Sequence, residues 1–326
     1  MDVRPLSSLP NGWTAWVIEN VALGVPPKRI SEVLAANGYK SVTAEEITSI
    51  TYTPEVMAAS QLAHRLKSLE NLFLARGELQ RQKRVAVPQV EKLSATEFYE
   101  RYYFSNEAVV IKDVAAAWGI LDLWTPEYLS REFGDVDVEI QTNRSSDPDY
   151  EINLDSHRTR MNLGKFISAI SNAETNDFYM CANNRAFEDR LLPLFQQIPQ
   201  LGFMEPHSPQ HTFLWLGPKG TVTPLHYDVM NVLFVQIRGR KQITIAPPEV
   251  TPLMYNRRGV FSDVDYTRPD YVRFPLFKRA QLMTVTLEPG QGLFIPVGWW
   301  HFVRSLDISI SVSFTSFRHP NQFQML

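Results

Sequence analysis

The sequence predicts an α+β protein in which a helical N-terminal region precedes a β-rich region built as a sandwich or barrel. In the first ninety or so residues, apolar side chains recur at helical spacing. After residue 210, short apolar runs alternate with Gly- and Pro-containing turns, which is typical of a sandwich or barrel. Gln80 to Arg84 is polar and basic, and Pro88 follows it. We therefore predict a helical domain over 1–90 and a second domain over 91–326.

Four helices are predicted in the N-terminal region. The first lies between Gly12 and Gly24, the second ends at Gly38, and the third begins at the capping-box pattern Thr43-Ala-Glu-Glu46. The fourth is long and carries an apolar stripe at spacings of four, three and four residues: Leu62, Leu66, Leu69 and Phe73. Such a stripe is either the seam of a homodimer or a face that packs on the other helices or the main domain. We expect this domain to serve oligomerisation or substrate docking.

The β-rich region and the segment before it contain several short apolar runs bounded by turns. Strands are predicted at Ala108 to Ile111, Thr212 to Leu216, Asn231 to Ile237, Gln242 to Ala246, Leu282 to Leu287, Gly292 to Pro296 and Ile308 to Phe314. The last of these alternates apolar residues with Ser309, Ser311 and Ser313, so its two faces differ in polarity. Trp299 and Trp300, at a strand turn, are expected to pack in the core.

Composition narrows the functional classes. The formal net charge is −3, which provides no electrostatic reason to expect nucleic acid as the main partner, although it permits a local basic patch. Cys181 is the only cysteine, so an intrachain disulfide and a cysteine-rich zinc module are excluded. No signal peptide or membrane-spanning stretch is evident, and no membrane partner is expected. These observations predict a cytoplasmic protein.

The motif His226-Tyr-Asp228 indicates a metal site. In an extended strand, residues two apart point to the same face, so an imidazole and a carboxylate would project side by side. Two histidines and one carboxylate form the facial ligand set of non-haem iron(II) oxygenases, and His301 is the candidate third ligand. The motif alone also fits a hydrogen-bonded surface pair. Lys241, which offers a cation to a dianionic cosubstrate, and the hydroxyl of Thr223 favour the metal site.

Two longer runs resemble the Jumonji C (JmjC) oxygenases. They are Gly220-Thr-Val-Thr-Pro-Leu-His-Tyr-Asp228, continued through Arg238-Gly-Arg-Lys241, and Leu287-Glu-Pro-Gly-Gln-Gly-Leu-Phe-Ile-Pro-Val-Gly-Trp-Trp-His301. The resemblance covers about residues 210–317, with weaker similarity back to about residue 92. Within the family, the chain looks most similar to the cupin-like branch that includes the asparaginyl hydroxylase of hypoxia signalling. The implied fold is a double-stranded β-helix, a jelly-roll of the cupin and JmjC type, with flanking helices.

The resemblance also implies a role for each matching position. The matching ligands of iron(II) are His226, Asp228 and His301. Lys241 matches the lysine that pairs with the distal carboxylate of 2-oxoglutarate, and Thr223 matches its hydroxyl partner. The resemblance also places three further residues around the cosubstrate pocket: Trp215, Asn231 and Ser313. Iron(II), 2-oxoglutarate and dioxygen are therefore the expected cofactor and cosubstrates.

The function implied by this resemblance is hydroxylation of a protein or peptide side chain, with release of succinate and CO2. The alternatives are an oxygenase acting on a small metabolite or modified nucleoside, and a non-catalytic cupin that binds metal. We expect a stable alcohol as product instead of a demethylated lysine, because this chain lacks the cysteine-rich zinc modules common in lysine demethylases. The loop from Val250 to Phe277 is expected to frame the pocket mouth with Tyr255, Arg257, Arg258 and Arg268.

Overall fold

The fold was obtained as a computed structural model, which describes residues 9–51, 54–81, 83–181, 185–188, 190–256, 259–321 and 323. The chain divides after Arg76 into two compact units. This division comes earlier than the predicted boundary near residue 90. Residues 77–90 belong to the second unit because Val87 is buried in its core and Gln89–Val90 forms a strand there. None of the described helices is both long enough and apolar enough to cross a membrane.

The N-terminal region forms the four predicted helices. Their bounds are α1 Asn11–Ala22, α2 Pro27–Ala36, α3 Ala44–Thr51 and α4 Pro54–Gln80. The capping box before α3 is formed: the Thr43 N–H donates to Glu46 Oε2 over 2.8 Å, and the Glu46 N–H donates to Thr43 Oγ1 over 3.3 Å. A small apolar core joins α1, α2 and α3 through Val17, Ile30 and Ile47. This core stabilises three helices that are too short to be stable alone.

The apolar stripe on α4 is exposed to solvent. The exposed fractions of Leu62, Leu66 and Leu69 are 63%, 56% and 55%. None of the three belongs to the apolar core of α1–α3. The alternative that the stripe packs on the other small helices is therefore wrong. Its use as a homodimer seam stays a prediction.

The second unit is built on two facing sheets. Its strands are β1 Gln89–Val90, β2 Val109–Ile111, β3 Asp137–Gln141, β4 Arg158–Asn162, β5 Thr212–Gly217, β6 Val222–Tyr227, β7 Val232–Arg238, β8 Lys241–Ala246, β9 Met283–Leu287, β10 Gly292–Ile295, β11 Trp300–Ser305 and β12 Ser309–Phe314. One sheet has the order β1-β2-β10-β7-β12-β5, another the order β6-β11-β8-β9, and β3 pairs with β4. A shared apolar cluster joins both large sheets, for example Leu293 of β10 with Ile243 of β8. The expected double-stranded β-helix is present.

Short helices flank the outer face of the six-stranded sheet. Their bounds are α5 Ala95–Phe98, α6 Ile120–Leu123, α7 Pro126–Phe133, α9 Leu163–Ile170 and α10 Leu192–Phe195, whereas α8 Leu154–His157 leads directly into β4. The largest apolar cluster contains Phe98 of α5 and Phe166 of α9 together with Leu233 and Val235 of β7. The helices thereby bury one face of this sheet and leave its other face to line the barrel.

The serine face of β12 points into the barrel. The apolar residues of β12 join the cluster under the helices, whereas Ser309, Ser311 and Ser313 are at most 2% exposed on the opposite face. Ser311 Oγ donates to Gln236 Oε1 over 2.8 Å, and Gln236 Nε2 donates to Ser309 Oγ over 3.0 Å. The barrel interior is therefore polar at this point, and its polar groups are hydrogen-bonded to one another.

Gly239 forms the tight turn that leads from β7 into Lys241 of β8. Its φ is +66°, in the left-handed region that favours glycine, and an added Cβ would lie 2.1 Å from the backbone oxygen of Ile308. Gln236 Nε2 also donates to the Gly239 carbonyl over 3.0 Å. The turn therefore needs glycine both for its dihedral angle and for its close approach to Ile308.

We predict that Gly239→Ala lowers the free energy of unfolding by about 3 kcal/mol. About 1–2 kcal/mol comes from the left-handed backbone and about 1–3 kcal/mol from the steric overlap. Gly259→Ala is the matched control, since Gly259 has a φ of +65° but nothing within 4 Å of an added Cβ. Urea unfolding of both variants measures the difference. Equal destabilisation would show that the approach of Ile308 has no energetic consequence.

Candidate active site

The two histidines of the predicted metal site face each other across a strand pair. His226 of β6 lies directly opposite His301 of β11 in an antiparallel ladder. Residues directly opposite each other in such a ladder project to the same face. The two imidazole ring centroids are 4.1 Å apart. Asp228 follows β6, and its carboxylate oxygens lie 3.9 Å from His226 Nε2 and 3.6 Å from His301 Nε2. The structure therefore brings the three predicted ligands together.

Hydrogen bonds orient both imidazoles. His226 Nδ1 lies 2.8 Å from the Pro224 carbonyl oxygen, and His301 Nδ1 lies 3.0 Å from the Trp299 carbonyl oxygen. Because a carbonyl only accepts hydrogen bonds, each Nδ1 carries the proton and donates, which leaves each Nε2 lone pair directed at the shared centre. Burial, with a further contribution from His226, lowers the pKa of His301 to about 4. His301 is therefore neutral near pH 7, as a metal ligand must be.

The donor set fits a divalent transition metal. One ligand atom from each of the three residues lies within 4.8 Å of the other two. Two imidazole nitrogens and one carboxylate oxygen suit non-haem iron(II), which keeps its remaining positions for exogenous ligands. The Asp228 side chain is 37% exposed, whereas that of His301 is 5% exposed. The centre is therefore accessible on the Asp228 side.

The turn before β11 holds the ligands together. The Gly298 N–H donates to the Asp228 carbonyl over 2.9 Å, which ties the turn to the end of β6. Trp299 and Trp300 are buried, which confirms their predicted packing in the core. The Trp299 indole N–H donates to the Asn106 carbonyl over 3.0 Å. The carbonyl oxygen of Trp299 accepts the hydrogen bond from His301 Nδ1. Because the Trp299 indole is anchored, this acceptor is held in place, and it orients the His301 imidazole.

A β-bulge brings Thr223 to the inner face. From the pair His301–His226 to the pair Val303–Thr223, β11 covers two residues and β6 covers three. β6 therefore contains one extra residue at this point. Strict alternation would direct Thr223 and His226 to opposite faces, and the extra residue removes that conflict. The Thr223 side chain lies close enough to Tyr179 to affect the pKa of its phenol, in agreement with an inward orientation.

Lys241 is buried inside the barrel and is 1% exposed. Its Nζ donates to Tyr179 Oη over 3.2 Å and lies 4.9 Å from the centre of the Phe234 ring. Desolvation lowers the pKa of Lys241 to about 7. Among the residues that the structure describes, no carboxylate forms an ion pair with this ammonium group. An anionic ligand would supply the missing counter-charge and raise the pKa again.

Two further predicted pocket residues lie beside Lys241. The Trp215 indole N–H donates to Ser313 Oγ over 2.8 Å, and Lys241 Nζ is 5.9 Å from the Trp215 ring centre. Asn231 was also expected there, and the structure corrects this expectation. Asn231 Oδ1 accepts from the Val297 N–H over 2.8 Å, so its side chain holds the turn before His301. Asn231 immediately precedes β7 and alternates in step with Leu233 and Val235, which pack under the helices on the side of the sheet opposite the pocket.

Tyr179 is a pocket residue that sequence reasoning missed. It is 2% exposed, and burial raises the pKa of its phenol well above the usual range. Its backbone pairs with Gln141 of β3, while Met180 pairs with Leu216 of β5. These are isolated bridges in an irregular segment, which has no periodic pattern to reveal it. Arg144 lies 5.1 Å from the Tyr179 ring centre, and its guanidinium group pairs with Glu151 over 2.7 Å.

The loop predicted to frame the mouth is described in part. Arg257 and Arg258 lie outside the described residues. Tyr255 Oη accepts from the Leu276 N–H over 2.9 Å, and Arg268 is exposed. The loop also carries Phe261, whose ring stacks on His226 with centroids 5.5 Å apart.

Comparison with known proteins identifies the family. A profile described as a cupin-like domain matches residues 95–321. The chain belongs to this family. It is 32% identical over 239 residues to lysine-specific demethylase 8 of Xenopus tropicalis, covering 70% of this chain and 52% of the relative. It is 29% identical over 282 residues to lysine-specific demethylase JMJ30 of Arabidopsis thaliana, covering 80% and 62%. To human HSPB1-associated protein 1 it is 42% identical over 137 residues, covering 39% and 28%.

The chain has the cupin-like domain of the JmjC proteins. Enzymes of the JmjC class use iron(II) and 2-oxoglutarate. The comparisons support the family but not the asparaginyl hydroxylase branch in particular. The chain spans from about a quarter to three fifths of the length of these relatives.

We predict that Lys241→Ala weakens 2-oxoglutarate binding about a hundredfold or more and leaves metal binding nearly unchanged. Loss of one partner from a buried ion pair costs about 3–5 kcal/mol. Lys219→Ala is the control, because Lys219 is half exposed and pairs with Glu174 at the surface. Calorimetric titration of the metal-loaded proteins with 2-oxoglutarate measures the affinity. Wild-type affinity in Lys241→Ala would place the anchor of the distal carboxylate elsewhere.

Proposed function

We propose that this protein is an iron(II)- and 2-oxoglutarate-dependent dioxygenase that hydroxylates a protein or peptide side chain. The observation that carries the proposal is the pairing of two features inside one barrel. His226, Asp228 and His301 form a facial ligand set, and Lys241 is a buried ammonium group without a carboxylate partner among the described residues. A metal chelator with a distal carboxylate satisfies both features at once. 2-Oxoglutarate is such a molecule.

Iron(II), when bound, supplies the activation of dioxygen that is coupled to decarboxylation of 2-oxoglutarate. The chain supplies position and electrostatics. His226, Asp228 and His301 would hold the metal and leave positions free for cosubstrate and oxygen. Lys241 and Thr223 bind the distal carboxylate of 2-oxoglutarate, and the Tyr179 hydroxyl orients the Lys241 ammonium group. Because the surrounding barrel excludes water, the contact between Lys241 and the carboxylate is stronger than it would be in solution.

The substrate is proposed to approach from the Asp228 side. This carboxylate is the most exposed of the three ligands, so the metal positions next to it are open to a side chain from outside. A protein or peptide can present one side chain through such an opening without entering the barrel. The same opening would admit a small metabolite, and only a turnover assay separates these substrates.

Demethylation of a methylated lysine is the second candidate. The observation that favours it is the similarity of the chain to two lysine-specific demethylases. Both reactions begin with hydroxylation of a carbon, so the metal site alone does not separate them. The single cysteine and the net charge of −3 favour hydroxylation, because a zinc module for chromatin is excluded and no general positive potential attracts nucleosomal DNA.

We predict a product that retains oxygen. A hydroxyl on an ordinary side-chain carbon persists, whereas one on an N-methyl carbon is lost as formaldehyde. The protein, loaded with iron(II), is incubated with 2-oxoglutarate, ascorbate and either peptide libraries or their lysine-methylated counterparts. Succinate, formaldehyde and peptide mass are followed together, with His301→Ala as the inactive control. Formaldehyde formed in step with succinate, without an oxygen-bearing peptide, would identify a demethylase.

The N-terminal helices are proposed to mediate self-association. The exposed stripe of α4 extends over Leu62, Leu66 and Leu69, and a second copy of the same helix presents an identical apolar face. Two-fold pairing buries such a stripe against itself. The partner of this surface is therefore a second copy of the chain.

We predict that Leu66→Gln combined with Leu69→Gln converts a dimer to a monomer without loss of helix content. Each substitution removes apolar area from the pairing face while keeping good helix propensity. Light scattering coupled to size-exclusion chromatography measures the mass. Arg65→Gln on the same helix is the control. A wild-type protein that is monomeric at micromolar concentration would rule out this seam.

A further inference from the structure

The open edge of the β6-β11-β8-β9 sheet is completed by a short segment of the connection between β8 and β9. β6 is the outermost strand of this sheet. On its free side, the Tyr227 N–H donates to the Val260 carbonyl over 3.2 Å, and the Ser262 N–H donates to the Leu225 carbonyl over 2.9 Å. The backbone groups on both sides of His226 are therefore tied to the segment 260–262. This pairing restrains the metal ligand more than an unpaired edge strand would.

The pairing places Phe261 on the metal-binding face. His226 and Phe261 are directly opposite each other in an antiparallel bridge, so their side chains project to the same side of the sheet. The two rings are stacked, with centroids 5.5 Å apart and an angle of 27° between their planes. One face of the His226 imidazole therefore lies against the ring of Phe261.

The stacked ring of Phe261 prevents a motion of the His226 imidazole that its hydrogen bond still allows. The bond from His226 Nδ1 to the Pro224 carbonyl fixes one atom of the ring but allows the ring to rock about that atom. Rocking would swing Nε2 away from the position shared with Asp228 and His301. A flat apolar ring on one face opposes this motion through aromatic contact. Phe261 thus adds a third restraint on His226, after the hydrogen bond to Pro224 and the backbone pairing of the neighbouring residues.

The segment that carries Phe261 is itself anchored. Ser262 Oγ donates to the Met254 carbonyl over 2.5 Å and accepts from the Val264 N–H over 3.1 Å. The Asp263 N–H donates to the Tyr255 carbonyl over 3.1 Å. Met254 and Val264 are buried, at 0% and 3% exposed. Phe261 is therefore held in place although it lies in a long connection between strands.

The geometry points to Phe261 as a positioning residue for the metal ligand His226, with Ser262 as the anchor of its segment. This inference rests on the proposed function, since it gives a role to a residue beside the proposed metal centre. Phe261 acts through the His226 imidazole on which its ring stacks. Its contribution is to metal affinity and to the regularity of the ligand field. Loss of a ring contact of this kind corresponds to about a two- to tenfold change in affinity.

The test is titration of the full chain with cobalt(II) alone, followed by its visible ligand-field absorption. Phe261→Tyr keeps the ring and is expected to match the wild type. Phe261→Leu keeps apolar volume without the ring and is expected to bind cobalt(II) about two- to tenfold more weakly, with an altered spectrum. Ser262→Ala is expected to show a smaller change in the same direction. Tyr271→Ala, an exposed aromatic in the same connection, is the control and is expected to change neither quantity.

Thermal unfolding of each metal-free variant shows whether the segment is intact, and 2-oxoglutarate affinity reports on the separate Lys241 pocket. Wild-type cobalt(II) affinity and spectrum in Phe261→Leu would overturn the positioning role. Equal weakening in Phe261→Tyr and Phe261→Leu would also overturn it, because the ring would then have no special part. A wild-type protein that binds cobalt(II) but never consumes 2-oxoglutarate would refute the proposed function while leaving these comparisons valid.

Discussion

The register of β6 against β11 is the constraint on which the candidate site depends. It sets His226 opposite His301, and these residues come from parts of the chain separated by more than seventy positions. A slip of one residue would turn one imidazole to the outer face and abolish the ligand set. The bond from the Gly298 N–H to the Asp228 carbonyl reinforces the register, because it joins the end of one strand to the turn before the other.

A second constraint is the presence of a cation in the barrel. Lys241 is 1% exposed, and its lowered pKa reflects the energetic penalty of desolvation. Its folded-state pKa lies below its unfolded value. The unfolded chain therefore binds more protons between about pH 7 and 10, and stability contributed by this group rises with pH over that range. The buried side chain of Gln236 hydrogen-bonds Ser309 and Ser311, whereas Lys241 has no carboxylate partner among the described residues. The fold tolerates this charge where an anionic cosubstrate is expected to bind.

The local parts of this arrangement were predictable. The same-face spacing of His226 and Asp228 follows from strand geometry, and the strands on both sides of Gly239 follow from apolar runs and a turn. Thr223 was predicted from the family resemblance, but strict alternation places it on the wrong face, and the bulge that corrects this depends on pairing with β11. Asn231 was misplaced because its partner, Val297, is distant in sequence. Tyr179 and Phe261 lie in segments without periodicity and reach the site only through isolated bridges.

The sequence by itself determined the four N-terminal helices, strands β2, β5, β7, β8, β9, β10 and β12, the candidate ligand pair His226 and Asp228, the lysine and the excluded classes of site. These depend on spacing and residue chemistry within a few neighbouring positions. With the family resemblance it also predicted the third candidate ligand, His301, which the structure places beside the other two. The tertiary structure decided the division after Arg76, the exposure of the α4 stripe, the inward serine face and the partners that orient each imidazole. These features are contacts between residues remote in sequence, whose identity depends on strand register and not on any local pattern.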